Sequence, residues 1–415
     1  MSRKPTSKAT SGPASKPASN PRSPRSANPA KSSWSKPKQA KAVSLIDIRD
    51  AITSLDEQLV QLLNARASLV VQVGSLKRAQ GLPTYAPHRE AQVLDRVLGL
   101  SKGPLPQRTL EAMYRELMSG SFTLQQPVRV GFLGPEGSYS HLATIKHFGS
   151  SVAMENLHDI TSVFSEVARQ HIDFGMAPIE NTIGGGIVET LDAFRDMVLH
   201  EGKRDITICA EVQLAIRHAL LCNGEPKAIA RIYSKPEVFT QCRSWLARSF
   251  PNAQLIPTPS SSKAAEMVRD LTAQAVRDRK TVDAAAVGSE LAGRLYGLHP
   301  LFHGIEDVPG NVTRFVVLGR APTPASGDDK TSLMFDLADK PGALAHVLQA
   351  FAKQQINLTH IEKRPSGRKN WTYTFLVDAL GHRDDATMAA ALADAKHQCK
   401  DLVVLGSYPR SKRVL

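Results

Sequence analysis

The sequence predicts a multidomain protein: an all-α three-helix module, then an α/β module, then a small α+β module. Three observations carry this expectation. Apolar residues recur every three or four positions from Leu45 to Leu76, with no proline until Pro83. Strand-like and helix-like stretches then alternate through 127–320, the pattern of parallel strands flanked by helices. After a short Pro-, Ser- and Asp-containing segment at 321–330, the order strand, helix, strand, strand, helix, strand occurs once. At 415 residues the chain has room for about two to four such domains.

Charge is a local matter here. The formal net charge is +13, but residues 1–42 hold ten Lys and Arg and no acid, which leaves +3 for the rest. That first segment is Ser, Pro, Lys and Ala with little apolar except Trp34, too little to offset its ordering entropy, and is expected to be a disordered basic tail. A nucleic-acid arm or an organellar presequence are the alternatives; the prolines and scarce arginine argue against an amphipathic presequence. No nucleic-acid role is expected for the remainder. No apolar run is read as approaching the ~18 residues of a membrane span, so no membrane is expected. Cys209, Cys222, Cys242 and Cys399 lack metal-ligand spacing, so no metal is expected and the thiols are expected to be reduced, in the cytoplasm.

The helical module, 43–126, opens with Leu45, Ile48, Ile52, Leu55, Leu59, Leu62, Leu69, Val73 and Leu76 on helical spacing. One helix of about 35 residues is predicted, long enough to want a partner, and a homodimer is expected. Further helices are predicted over 87–100 and 106–124. Arg66 and Lys77 are eleven positions apart, so they differ by only ~20° around the axis and lie ~16 Å apart along it. Arg49 sits ~100° away from Arg66. Arg89 and Glu90 open the second helix, and Ser121 and Gln125 share a face of the third.

In the α/β module, 127–320, strands are predicted from Val128 and over 173–178, 206–216, 231–234, 254–257, 284–288 and 315–318. Helices are predicted near 161–170, 186–199, 236–248, 262–277 and 289–296. The glycines do not have dinucleotide-binding spacing, so no nucleotide cofactor is implied. Two stretches stand out. Pro178-Ile-Glu-Asn-Thr-Ile-Gly-Gly-Gly-Ile187 puts a carboxylate, an amide and a hydroxyl before glycines and a helix start, where free N–H groups favour an anion. Thr313-Arg314-Phe315 adds a hydroxyl and a fixed cation at the head of a strand. Together they suit a small acidic molecule that must receive a proton.

The last module, 331–408, is ferredoxin-like in its element order, with a tail at 409–415. Strands are predicted over 332–337, 357–364, 371–378 and 401–405, and helices over 342–352 and 386–398. Asp339-Lys-Pro-Gly-Ala-Leu344 sets Pro and Gly at a helix start able to take a carboxylate.

These residues resemble three known families in succession. Residues 44–126 resemble the all-helical chorismate mutases. That resemblance implies that Arg66 and a partner's Arg49 hold the substrate carboxylates, with Arg89 assisting. It implies that Lys77 and Gln125 stabilise the ether oxygen, and that Glu90 and Ser121 hold the substrate hydroxyl. The work would be orientation plus preorganised charge. Ala86 stands where some members carry an acid.

Gly131-Phe-Leu-Gly-Pro-Glu-Gly-Ser-Tyr-Ser-His141, Pro178-Ile-Glu-Asn-Thr182, Tyr233-Ser-Lys-Pro236 with Gln241-Cys242, and Thr313-Arg-Phe315 resemble the prephenate dehydratases, four segments in family order. That implies two α/β lobes of the periplasmic-binding-protein type with the site between them. Thr313 is implied as proton donor and Arg314 as the group neutralising nearby charge. Asn181, Thr182, Ser234 and Gln241 are implied as substrate-orienting, and Glu180 either tunes the site or braces the loop. Lys235 replaces a common histidine.

Gly342, Ala343 and Leu344 with Asn357-Leu358 and Ile361-Glu362-Lys-Arg364-Pro365 resemble the ACT domain that senses L-phenylalanine, Lys363 standing where serine is common. The whole is similar to the bifunctional chorismate mutase/prephenate dehydratases with a C-terminal ACT domain. The resemblance implies chorismate and prephenate as substrates, L-phenylalanine as effector, no cofactor and a dimer. Two other readings stay open to test: a helical domain that only dimerises, and a sensor that binds a carboxylate without chemistry.

Overall fold

In the computed structural model of the protein, residues 44–81, 83–200, 205–367 and 372–415 are described, without the side chains of 198–200. The expected tail 1–42, the domain start at Val43 and the strand start at Trp371 lie outside them. The described residues divide into two units, up to Gln61 and from Leu62 onward.

The first unit is helix from Leu45. Ser44 Oγ accepts from Asp47 N at 3.1 Å while Ser44 N donates to Asp47 Oδ2 at 3.0 Å, a reciprocal capping box. Its apolar residues Leu45, Ile48, Ile52, Leu55 and Leu59 are exposed.

The helices are α1 (Leu45–Ala79), α2 (Pro87–Leu100) and α3 (Gln107–Gln125). By length and composition α1 is apolar enough to cross a bilayer. This corrects the expectation that no segment reaches that standard. The physical reason is that its stretch past Glu57 carries one charge, Arg66, before Lys77. Past residue 61, Gly74 is the buried residue of the helix. A Cβ there would meet Gln125 Cγ at 2.8 Å, so the glycine is what lets α1 and α3 touch.

Next come β1 (Arg129–Leu133), α4 (Tyr139–Phe148), β2 (Ala153–Leu157), α5 (Ile160–Ala168), β3 (Phe174–Asn181), β4 (Gly185–Gly186), α6 (Val188–His200) and β5 (Thr207–Ala215). The chain then crosses to β6 (Ala219–Leu221), β7 (Arg231–Ser234), α7 (Pro236–Gln241), α8 (Arg243–Ser249), β8 (Gln254–Pro257), α9 (Ser261–Arg277), β9 (Ala284–Gly288), α10 (Glu290–Tyr296) and β10 (Pro300–His303). It returns as β11 (Val312–Gly319). One sheet has the order β2-β1-β3-β11-β5 with β4 on β3; the other has the order β10-β6-β9-β7-β8. These are the two α/β lobes, joined at 215–219 and 303–312. The sequence does not predict the strands β2, β4, β6 and β10, and the helix predicted over 236–248 is broken at Cys242.

The C-terminal domain is β12 (Asp329–Asp336), α11 (Ala343–Lys353), β13 (Leu358–Pro365), β14 (Tyr373–Leu380), α12 (Ala386–Gln398) and β15 (Asp401–Pro409). Its antiparallel sheet has the order β13-β14-β12-β15, the ferredoxin-like arrangement. Met334, Leu376, Val403, Leu405 and Tyr408 from this sheet share one core with Ile179, Ile208 and Val316 of the first lobe. The C-terminal sheet thus covers one face of the sheet that carries Thr313.

Candidate active sites

Strand register sorts the dehydratase residues. On β3 and β11 the register sets Thr313 opposite Asn181 and Arg314 opposite Glu180. Side chains alternate along a strand, so the two pairs leave the sheet on opposite faces.

On one face, Asn181 Nδ2 donates to Thr313 Oγ1 at 2.9 Å and to Asn311 Oδ1 at 2.7 Å. Its Oδ1 accepts from Ile183 N at 3.0 Å and Gly184 N at 2.9 Å. Thr182 Oγ1 accepts from Val312 N at 3.0 Å. Gln241 reaches in from the second lobe, its Oε1 accepting from Asn311 Nδ2 at 3.4 Å. Asn181, Thr182, Gln241 and Thr313 are therefore brought together. Ser234 is not brought into this network: it is fully buried and its hydroxyl donates to Val287 O at 2.7 Å. The second lobe meets the first where Ser289 Oγ donates to Gly137 O at 2.7 Å. Gly137 has φ 80°, and a Cβ on it would lie 3.0 Å from the Ala292 backbone.

On the other face, Arg314 is buried. Its Nε donates to Glu180 Oε2 at 2.9 Å, and its Nη1 donates to Asp378 Oδ2 at 2.6 Å and Glu211 Oε2 at 3.5 Å. Lys330 Nζ donates to the same Glu211 oxygen at 2.7 Å. The expectation that Arg314 neutralises charge beside Thr313 is corrected: strand alternation turns it to the C-terminal domain, where three carboxylates take its charge. Glu180 also meets His360 Nδ1 at 3.3 Å, and the hydrogen bond from His360, against the cost of burial and aided by Arg314, holds its carboxyl down to about 2. These contacts tie Glu180 of β3 to Arg314 of β11 and to His360 of β13.

The ACT candidates divide likewise. Glu362 Oε1 accepts from Gly186 N at 3.3 Å, and Arg364 donates to both Asp192 oxygens, at 3.0 and 2.9 Å. Lys363 and Asn357 are exposed, with Lys363 Nζ 4.8 Å from the Tyr373 ring centre. Gly342 caps α11 at φ 78°, ahead of the buried Ala343 and half-buried Leu344; Leu358 begins the edge strand β13.

In the helical module Arg66 Nη1 donates to Ser121 Oγ at 3.1 Å, and both line a concavity with Gly120 and Leu124. Lys77 Nζ donates to Thr84 O at 2.8 Å, and burial lowers its pKa from the ordinary lysine value. Glu90 lies 3.1 Å from Arg115 Nη1, a partner that sequence spacing did not single out. Burial raises the Glu90 carboxyl to about 7, against the opposing pull of Arg115 and Lys77. Glu90 Oε1 and Gln125 Oε1 are buried acceptors without a partner among the described residues. Arg89 is exposed and donates to Gln92 Oε1 at 3.2 Å. Arg49 is exposed on the first unit.

Three family models match in order: chorismate mutase type II over residues 48–126, prephenate dehydratase over 130–323, and the ACT domain over 331–397. Fold and sites thus define a class, a two-lobed dehydratase carried between a helical mutase module and an ACT module. A bifunctional chorismate mutase/prephenate dehydratase of Stutzerimonas stutzeri is 39% identical over 379 residues, spanning 90% of this chain and 99% of that relative. The prephenate dehydratase of Arthrobacter aurescens, solved in complex with L-Phe, is 31% identical with a TM-score of 0.59, over 68% of this chain and 90% of that one. GqqA, described as a novel type of quorum quenching acylase, is 26% identical with a TM-score of 0.60, over 68% of this chain and 98% of its own. The chain belongs to the bifunctional chorismate mutase/prephenate dehydratase family.

Proposed function

We infer that this protein carries out two consecutive steps of phenylalanine biosynthesis. Chorismate is rearranged to prephenate in the helical domain, 43–126. Prephenate loses carbon dioxide and water to give phenylpyruvate in the α/β domain, 127–320. The observation that carries the second step is the 2.9 Å bond from Asn181 Nδ2 to Thr313 Oγ1. Because Thr313 accepts there, its own O–H proton is free to be given away. As the ring carboxylate leaves as carbon dioxide, its bonding pair enters the ring, which becomes aromatic. The C–O bond opposite breaks, and the departing oxygen takes a proton from Thr313 to leave as water, Thr313 regaining a proton from solvent. Thr182 and Gln241 orient the substrate.

For the mutase step, Arg66, Arg89 and the Arg49 of a second copy hold carboxylates, while Lys77 and Gln125 face the ether oxygen. Glu90 and Ser121 hold the hydroxyl. The exposed apolar face of α1 supports a homodimer, in which that face is covered. L-Phenylalanine is the proposed allosteric effector at the ACT domain, 331–408, through Gly342–Leu344 and Asn357–Leu358. Glu362 and Arg364 carry the signal to β4 and α6. Free cysteines, three of them buried, suit a reducing cytoplasm. Neither step calls for electron transfer, so no cofactor is required.

The test is a coupled assay on purified protein: chorismate is supplied, prephenate and phenylpyruvate are followed separately, and L-phenylalanine is then added. Phenylpyruvate that appears and is suppressed by phenylalanine supports the whole reading. Prephenate that accumulates unchanged overturns the dehydratase assignment.

A further inference from the structure

Two residues that no motif singled out, His218 and Asn311, are 1% and 2% exposed and stand where the chain crosses between the lobes. They belong to a chain of hydrogen bonds whose direction is fixed at one end. Asn181 Oδ1 accepts from two backbone N–H groups, which can only donate, so its Nδ2 is the end that faces Asn311. Asn311 must accept through Oδ1, which leaves its Nδ2 to donate to Gln241 Oε1 at 3.4 Å. The same Gln241 oxygen lies 2.7 Å from His218 Nε2, so that ring nitrogen is the donor. The Tyr139 hydroxyl is 2.9 Å from the other ring nitrogen, Nδ1, and 2.7 Å from Arg217 O, which fixes the ring's orientation.

The consequence is chemical. With its carbonyl oxygen held by two donors, Gln241 cannot turn its amide over. Its Nε2, with two N–H donors, has no protein acceptor among the described residues. Prephenate carries two carboxylates, and a neutral donor of fixed direction, tied to Thr313 through Asn311 and Asn181, suits one of them. We propose that His218 and Asn311 are positioning residues of the dehydratase site, holding Gln241 with its amide donors presented to the substrate and Asn181 with its donor on Thr313. Gln241 of the second lobe is held by His218 on one crossing and by Asn311 on the other, and Asn311 links it to Asn181 and Thr313 of the first lobe. Neither residue touches the reacting atoms; each acts through another side chain.

This inference rests on the dehydratase reading, and the experiment separates the two. Dehydratase and mutase kinetics are measured on the full chain for wild type, His218→Phe, His218→Gln and Asn311→Asp. His218→Phe keeps the ring shape and removes the donor; dehydratase kcat/KM is expected to fall roughly 10- to 100-fold, with KM for prephenate rising. His218→Gln restores an N–H near the Nε2 position and is expected to recover about tenfold of that loss. Asn311→Asp sets a second acceptor against Gln241 Oε1 and is expected to match His218→Phe. Mutase kcat/KM serves as the internal measure of folding. A wild type that fails to turn over prephenate defeats the dehydratase reading itself. Wild-type turnover with His218→Phe unimpaired, or with His218→Gln no better than His218→Phe, overturns the positioning role alone. Should His218→Phe fail to fold, the isosteric Asn311→Asp decides, and unchanged prephenate kinetics there overturn the proposal.

Discussion

Arg314 donates to Asp378 across 2.6 Å, and this buried bond joins the strand that carries Thr313 to the C-terminal sheet. Asp378 is fully buried and also accepts from Ser332 Oγ at 2.5 Å. Removing its charge leaves a guanidinium facing Glu180 and Glu211 alone. Asp378→Asn is expected to destabilise the dehydratase–ACT pair by roughly 3–5 kcal/mol, the cost of breaking a buried ion pair. Dehydratase activity should be lost at lower temperature than in wild type, and inhibition by phenylalanine should weaken. Unchanged thermal inactivation would show that the bond is energetically idle.

Thr313→Ala removes the hydroxyl that Asn181 orients. Dehydratase kcat is expected to fall by about 10²- to 10⁴-fold, the usual worth of a positioned proton donor. Mutase kcat should stay within twofold or so, because the helical domain supplies its own residues. Equal loss of both activities would sink the assignment of two sites.

Glu90 titrates near 7 because it is buried. Its folded pKa lies above its ordinary value of 4.5, so its ionised form weakens the fold as pH rises through that range. A dianionic substrate raises the carboxyl further, so binding takes up a proton. Mutase kcat/KM is expected to decline above about pH 7, by up to ~10-fold per pH unit, and Glu90→Gln is expected to flatten that limb. A pH profile identical in the two proteins would contradict this.

Gly74 allows Gln125 to lie against α1. A Cβ there would stand 2.8 Å from Gln125 Cγ and 3.0 Å from its Cα, and the second of these is backbone that cannot swing aside. Gly74→Ala should improve helix propensity by ~1 kcal/mol and yet displace Gln125. Mutase kcat is expected to drop about tenfold with dehydratase unaffected. The two assays on one preparation check it.

Arg364 clasps Asp192 with both oxygens engaged, at the junction of ACT domain and α6. If phenylalanine acts through this contact, Arg364→Asp and Asp192→Arg should each raise the inhibitory concentration of phenylalanine several-fold. The double exchange should bring it back toward wild type, as coupled neighbours do. A double variant no more sensitive than the singles would place the coupling elsewhere.

Much of the architecture was legible in the chain. Periodicity and Pro87 located α2 at its observed ends, and α12 and the strands β7, β8 and β9 were read at their observed bounds. What escaped were pieces without a burial pattern. The strand β2 lies at a sheet edge with Ala153, Glu155 and Asn156 exposed, so its residues show no alternation. The three-residue β6 is too short to register a period, and the edge strand β10, half-buried to exposed along its length, shows no buried-exposed alternation. The helix over 236–248 was periodic throughout, but Cys242, at φ −115° and ψ 13°, interrupts it.

By itself the sequence determined which modules are present and which chemistry-bearing residues they carry, because periodicity, turn residues and family motifs are properties of neighbours along a chain. Only the tertiary structure decided what those residues face. Thr313 and Arg314 are adjacent, yet strand alternation sends one to the Asn181 amide and the other to Asp378, which is 64 positions away in the chain. His218 and Asn311 carried no signal at all, since a lone histidine and asparagine near strands are unremarked until the two lobes meet. Their partner Gln241 lies 23 and 70 positions away. Side-chain direction and long-range hydrogen bonding arise when distant strands take register, and a linear pattern does not encode that register.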